Sequence, residues 1–203
     1  MGSKNKLKRF KENETFHNVF QPSREELVAS RYEFKGNWHQ KVFKNTKPIV
    51  LELGCGKGEY SVELAKKYPH KNFIGIDIKG ARFWRGAKTA LEENIPNAKF
   101  YKENITKLPF EDSSVDFVFT HKLLNYLDDE TVDNGVSEMF RVAKRYILNC
   151  ELFGETEEKI DDEMRFRNML KRWLNYKVRV VSNVNMHEDI EPEQVRFTLL
   201  RKL

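Results

Sequence analysis

Ile49-Val50-Leu51-Glu52-Leu53-Gly54-Cys55-Gly56-Lys57-Gly58 decides the fold of this chain. The apolar run reads as a buried parallel strand, with Glu52 close to its end. Glycines follow at alternate positions, where the backbone must turn sharply and a side chain would block a ligand. A helix is expected next, with Leu64 and Ala65 on its inner face and Gly58 near its first turn. Phe73-Ile74-Gly75-Ile76-Asp77-Ile78 then reads as a second strand with an acid near its C-terminal end. A glycine-rich turn followed about 20 residues later by an acid is the nucleotide-binding pattern of doubly wound sheets.

Outward from this unit the chain alternates strand and helix. Strands are expected near 48–53, 72–78, 98–102, 115–120, 145–151, 177–184 and 194–202. Helices are expected near 58–68, 80–94, 130–143 and 159–174. Val132, Val136, Met139, Phe140 and Ala143 mark one apolar face, and Met169, Leu170, Trp173 and Leu174 another. This alternation predicts a parallel α/β sheet with right-handed crossovers. No helical pattern separates the last two strands, so they are expected to pair antiparallel. Residues 1–47 read as a basic arm with little periodicity, and 48–203 as one ligand-binding domain. Within the arm, Pro22-Ser23-Arg24-Glu25-Glu26-Leu27 has the form of a helix start, capped by Ser23 with Glu26 three residues on.

Composition sets the class. A chain of 203 residues, 39% hydrophobic and 33% charged, can bury a sizeable core and is not of disordered type. No apolar stretch approaches the roughly 20 residues a membrane helix needs, and no apolar segment follows the basic N-terminus to make a secretory signal. The two cysteines suggest no disulfide framework, so a reducing cytoplasm is the expected compartment. No metal site is expected. The net charge of +5 is concentrated early: residues 1–50 hold eleven Lys and Arg against five Glu. Phe10, Phe16, Phe20, Tyr32, Phe34 and Trp38 are interleaved with that charge. Such an arm suits phosphates and stacked bases, or else its aromatics pack on the domain.

Dinucleotide sites read G-x-G-x-x-G. Here the order is Glu52-x-Gly54-x-Gly56-x-Gly58, which resembles motif I of the class I methyltransferases that use S-adenosylmethionine (SAM). SAM lacks a pyrophosphate and carries a cationic sulfonium and an ammonium group, so an acid in the turn suits it and would repel phosphate. The resemblance implies a Rossmann-like, seven-stranded, mostly parallel sheet with its last strand antiparallel. It also implies that Glu52, Gly54, Gly56 and Gly58 line the SAM site. Asp77, with Ile78 beside it, would accept the ribose hydroxyls. Tyr101-Lys102-Glu103-Asn104-Ile105 resembles the segment after the third strand in many methyltransferases, which assigns Asn104 and Ile105 to the adenine. Residues just past the fourth strand face the methyl group in such folds. Thr120 is therefore a candidate at the cofactor, and His121 and Asn125 are catalytic candidates. An NAD-dependent oxidoreductase is disfavoured by the glycine spacing and by Glu52.

The first half resembles a narrower family. Asn18-Val19-Phe20-Gln21-Pro22, Gly36-Asn37-Trp38-His39 and the run from Pro48 to Ala98 are similar to bacterial tRNA (guanine-N7-)-methyltransferases, which methylate N7 of a guanine in the tRNA variable loop. In that family's pattern Glu52, Asp77 and Asn104 match SAM-contacting positions, and the basic arm fits a tRNA partner. After the fourth strand the chain departs from the pattern. Phe119-Thr120-His121-Lys122-Leu123-Leu124-Asn125-Tyr126 stands where the family carries a Pro-Asp-Pro and a basic cluster. From Ala98 onward the sequence resembles general small-molecule methyltransferases, as though two relatives, recombined or generated, were joined near residue 98. A small-molecule acceptor is the alternative to tRNA, and a non-catalytic module binding SAM or RNA is a third reading.

Overall fold

Each strand of the nucleotide-binding pattern is buried along its whole length, and that burial organises the first half of the molecule. The computed structural model describes residues 2–23, 25, 26 and 33–203. The chain divides into two compact units, the first ending at Glu111 and the second running from Asp112 to Leu203.

In the first unit, β1 (Val19–Phe20), β2 (Ile49–Leu53), β3 (Asn72–Asp77) and β4 (Ala98–Lys102) are all parallel, in the spatial order β1-β4-β3-β2. Every residue of β2 and β3 is buried, which explains runs without alternation. Parallel neighbours need crossovers, supplied here by helices. α1 (Gly2–Asn13) precedes the sheet, α2 (Glu59–Lys67) joins β2 to β3, and α3 (Gly80–Glu92) joins β3 to β4. α2 buries Ser61, Val62 and Ala65, with Leu64 only half-buried. α3 buries Gly80, Phe83, Gly86, Ala87 and Ala90, and Phe83 stacks on Phe100 at 5.7 Å. Burying a side chain such as Phe83 contributes about 1.5–3 kcal/mol.

α1 forms in the segment whose sequence shows little periodicity. Its sequence holds few apolar residues, and tertiary contacts hold it to α3 instead. Asn13 Nδ2 donates to the Gly80 carbonyl at 2.9 Å, and Trp84 Nε1 donates to Glu12 at 2.9 Å. Asn18 Nδ2 donates to the Ala87 carbonyl at 2.9 Å. The aromatics that follow pack inward. Trp38, within a π-helical turn (Trp38–Phe43), is 3% exposed, stacks on Phe110 at 5.0 Å and donates Nε1 to the Pro109 carbonyl. Phe20 and Phe34 lie edge-on to one another at 5.2 Å. Ser23 and Glu26 form the expected reciprocal cap, Glu26 N to Ser23 Oγ and Ser23 N to Glu26 Oε2. Arg24, Leu27 and Tyr32, singled out in the sequence, lie outside the described residues.

In the second unit, β5 (Val115–His121) runs parallel to β6 (Ala143–Leu152), with α4 (Asp129–Val142) between them in sequence. β7 (Val178–Asn185) and β8 (Val195–Lys202) pair antiparallel, and β8 also pairs antiparallel with β6. All seven expected strands therefore form and the last is antiparallel. The two-residue β1 is an eighth. α4 buries Val132, Val136, Met139 and Val142, and its N-cap Asp128 accepts from Thr131 N at 2.7 Å.

The helix expected over 159–174 shrinks to α5 (Met169–Trp173). Asp161 Oδ1 accepts from the backbone of Glu163 and Met164, a turn that competes with helix. Fully buried Arg167 takes the backbone elsewhere: it donates to the carbonyls of Leu124 and Leu127 and pairs with Asp129 and Glu157. Among the described residues no helix is long and apolar enough to cross a membrane, and no group of His, Cys, Asp and Glu is arranged to hold a metal.

Candidate cofactor site at the glycine turn

The turn after β2 exists because three glycines adopt left-handed backbone: φ is +71° at Gly54, +53° at Gly56 and +79° at Gly58. Two of them are distinguished by space. A Cβ on Gly58 would stand 2.4 Å from Cε1 of Phe100. A Cβ on Gly56 would meet nothing within 4 Å, so the backbone there faces open space. α3 closes on the turn from outside, with Gly86 N donating to the Lys57 carbonyl at 2.9 Å. A Cβ at Gly86 would stand 2.6 Å from that carbonyl oxygen.

Two carboxylates face the turn. Asp77, at the tip of β3, accepts Gly56 N on Oδ2 at 3.1 Å and Lys79 N on Oδ1 at 2.7 Å. One N–H on each oxygen fixes the carboxylate and leaves acceptor capacity on both. Glu52 is 4% exposed and accepts from Ser61 Oγ at 2.5 Å. Burial pushes its carboxyl up to about 7, against the pull of Ser61 and with a further push from Asp77 and Glu59. Near neutral pH Glu52 is thus present in both forms. Burial, with a further push from Glu52 and Asp77, moves the Cys55 thiol well up, so it stays protonated; both cysteines are buried and unpaired.

Ile78 follows Asp77 and is exposed by 57%. Asn104 caps its own turn, Oδ1 accepting from Thr106 N at 3.1 Å, while its Nδ2 makes no hydrogen bond among the described residues. Ile105 beside it is buried. The first unit therefore contains Glu52, the three glycines, Asp77, Ile78, Asn104 and Ile105. Sequence reasoning missed Ser61 and Gly75. A Cβ at Gly75 would stand 2.8 Å from Ser61 Oγ and 3.0 Å from Cys55 Sγ, so Gly75 lets Ser61 reach Glu52. The signal was a hydroxyl on the inner face of α2, where an apolar residue is expected.

Thr120, His121 and Asn125 belong to the second unit. Thr120 is fully buried and its Oγ accepts from Asn149 Nδ2 at 2.8 Å. Asn125, also fully buried, donates to the carbonyls of Leu152 and Arg165 and accepts from Leu152 N at 2.9 Å. Its amide thus holds two backbone segments together. His121 Nε2 lies 3.0 Å from Glu191 Oε1, and Lys122 Nζ is 2.7 Å from both Glu191 and Glu193. Lys122, with His121 helping, holds Glu191 below the usual carboxylate range.

A methyltransferase domain family matches residues 50–145. The chain is 68% identical over 110 residues to the tRNA (guanine-N(7)-)-methyltransferase of Christiangramia forsetii, a match covering 54% of this chain and 49% of that protein. It thus spans about half the length of that relative. The enzyme of the same name from Pediococcus pentosaceus is 42% identical over 157 residues, covering 75% of this chain and 72% of its own. A continuous match of that extent must include residue 98, so the similarity passes through the point where the resemblance was expected to change. A solved structure of a SAM-dependent methyltransferase from Aquifex aeolicus shares the fold, with a TM-score of 0.60 and 21% identity over 97% of both chains. At 42% identity across nearly three-quarters of the Pediococcus protein, the chain belongs to the tRNA (guanine-N7-)-methyltransferase family.

Proposed function

We propose that this chain binds SAM at the glycine turn and catalyses methyl transfer to N7 of a guanine in tRNA. One observation carries the reading: open space before Gly56 lies next to a fixed carboxylate with free acceptor capacity, Asp77, in a turn whose strand also carries a buried acid, Glu52. Asp77 would accept the ribose hydroxyls, as Asn104 Nδ2 and Ile105 would meet the adenine. Glu52, once ionised, favours the cationic end of the donor. When bound, SAM supplies an electrophilic methyl whose carbon–sulfur bond breaks to leave a neutral thioether. Guanine N7 attacks through a ring lone pair and has no proton to lose first. The protein's work is then to align donor and acceptor, and no general base has to be found among Thr120, His121 and Asn125. A cytoplasmic location accords with two buried, unpaired cysteines. We assign tRNA contact to the basic N-terminal segment.

A small-molecule acceptor is the second reading, and a specific observation favours it. The segment after β5 offers no free basic cluster, since Lys122 is held between Glu191 and Glu193. Incubation with methyl-labelled SAM and two pools, tRNA and small metabolites, decides between them. Label in tRNA is the expected result. Label only in the metabolite pool supports the second reading, and SAM binding without label in either supports a non-catalytic module.

A further inference from the structure

A cavity of about 420 Å³ opens in the first unit on the outer side of α3, lined by Arg9, Lys57, Arg82, Trp84, Arg85 and Lys88 together with Thr89 and Glu92. Its cations come from three places: Arg9 from α1, Lys57 from the glycine turn, and the rest from α3. Five cations face one acid of the lining. Among the described residues only Lys88 is paired, with Glu12 at 3.4 Å, while Arg9, Lys57, Arg82 and Arg85 make no ion pair and are exposed.

This arrangement works against the protein's own stability. Arg82 and Arg85 lie three residues apart on one helix face, where like charges repel. They also sit in the first two turns of α3, where cations oppose the helix dipole and no acid compensates. Arg9 is brought into the same cluster, its guanidinium 5.0 Å from the centre of the Trp84 ring, and Lys88 Nζ is 5.2 Å from it. The Asn13–Gly80 and Asn18–Ala87 hydrogen bonds hold α1 and the loop after it against α3. The charges are therefore gathered by specific contacts, not spread over a solvated face.

We infer that this cleft binds the sugar–phosphate backbone of folded RNA. The inference rests on tRNA as the acceptor, and it places the contact on α3 and Lys57 with the arm supplying Arg9. Several unpaired guanidinium groups on separate elements match successive phosphates of one strand, and the half-buried Trp84 ring holds Arg9 among them. A single small anion would not need so wide a spread of charge.

The test uses the full chain and the double variant Arg82→Ala/Arg85→Ala, both positions being exposed. Binding to unmodified tRNA is followed by anisotropy across a salt series, with SAM calorimetry and circular dichroism alongside. The variant should bind tRNA at least about tenfold more weakly and lose about 2 from the slope of log affinity against log salt. Its SAM affinity should be unchanged. Lys66→Ala, on the same unit but away from the cleft, should leave tRNA binding as it was. Unchanged tRNA affinity and salt slope in the double variant would overturn the inference. Failure of the wild-type chain to bind SAM would instead defeat the functional reading, so the two failures are separable.

Discussion

The ends of β3 and β5 pose the same chemical problem and answer it differently. Each strand delivers polar side chains to a turn at its C-terminal end. At β3, Asp77 spends one N–H contact per oxygen and faces open backbone at Gly56. At β5, Thr120, His121 and Lys122 are given to Asn149, Glu191 and Glu193, and beyond it Asn125 is consumed by Leu152 and Arg165. Residue type alone does not distinguish the two turns. Unspent hydrogen-bonding capacity next to space does: one turn keeps acceptor capacity beside open space, and the other spends its groups on holding the chain.

The contrast breaks most easily at Gly58. Valine there would force a side chain into Phe100 from a left-handed backbone, at a cost of about 2–5 kcal/mol by urea unfolding. Wild-type stability would show that the turn is not locked as described. Asn125→Ala should cost about 2–4 kcal/mol of stability by stranding buried backbone groups. A folded variant of normal stability that has lost methyl transfer would move Asn125 from scaffold to chemistry. Asp77→Ala should weaken SAM binding by about 1–3 kcal/mol in calorimetry, and an affinity equal to wild type would place the ribose elsewhere.

Glu52 gives a pH signature. Its carboxyl rises from 4.5 to about 7 on folding, so the neutral form stabilises the free protein at low pH and that contribution is lost as pH rises through 7. A cationic donor prefers the ionised form. SAM affinity should therefore climb between pH 6 and 8 more steeply in wild type than in Glu52→Gln. Parallel profiles for the two proteins would remove Glu52 from the electrostatics of the site. The smallest effect belongs to Lys122→Ala, about 1 kcal/mol or less in stability, since its ion pairs are partly solvated.

The strand–turn–strand unit was legible because its signals are local. Buried parallel strands need unbroken apolar runs, and a left-handed turn needs glycine. α1 was not legible, because Leu7 and Phe10 are its only large apolar residues and its anchors, Gly80 and Trp84, lie some seventy positions away in sequence. Residues 159–168 misled in the other direction. Their charged composition allows a helix, but Arg167 gains more from a buried set of carbonyls and acids than from another helical turn. In the site, Glu52 and Asp77 were visible as acids at strand ends. Their hydrogen-bond partners were not, since Ser61 reaches Glu52 only through the gap left by Gly75.

Lys57 has two addresses. Its carbonyl ties the glycine turn to Gly86 of α3, and the residue also lines the electropositive cleft. A ligand in the cleft that shifted Lys57 would shift the turn as well, and linkage would make the effect mutual. If the chain binds nucleic acid there, nucleic acid and methyl donor would alter each other's affinity by one common factor, or be wholly indifferent to one another.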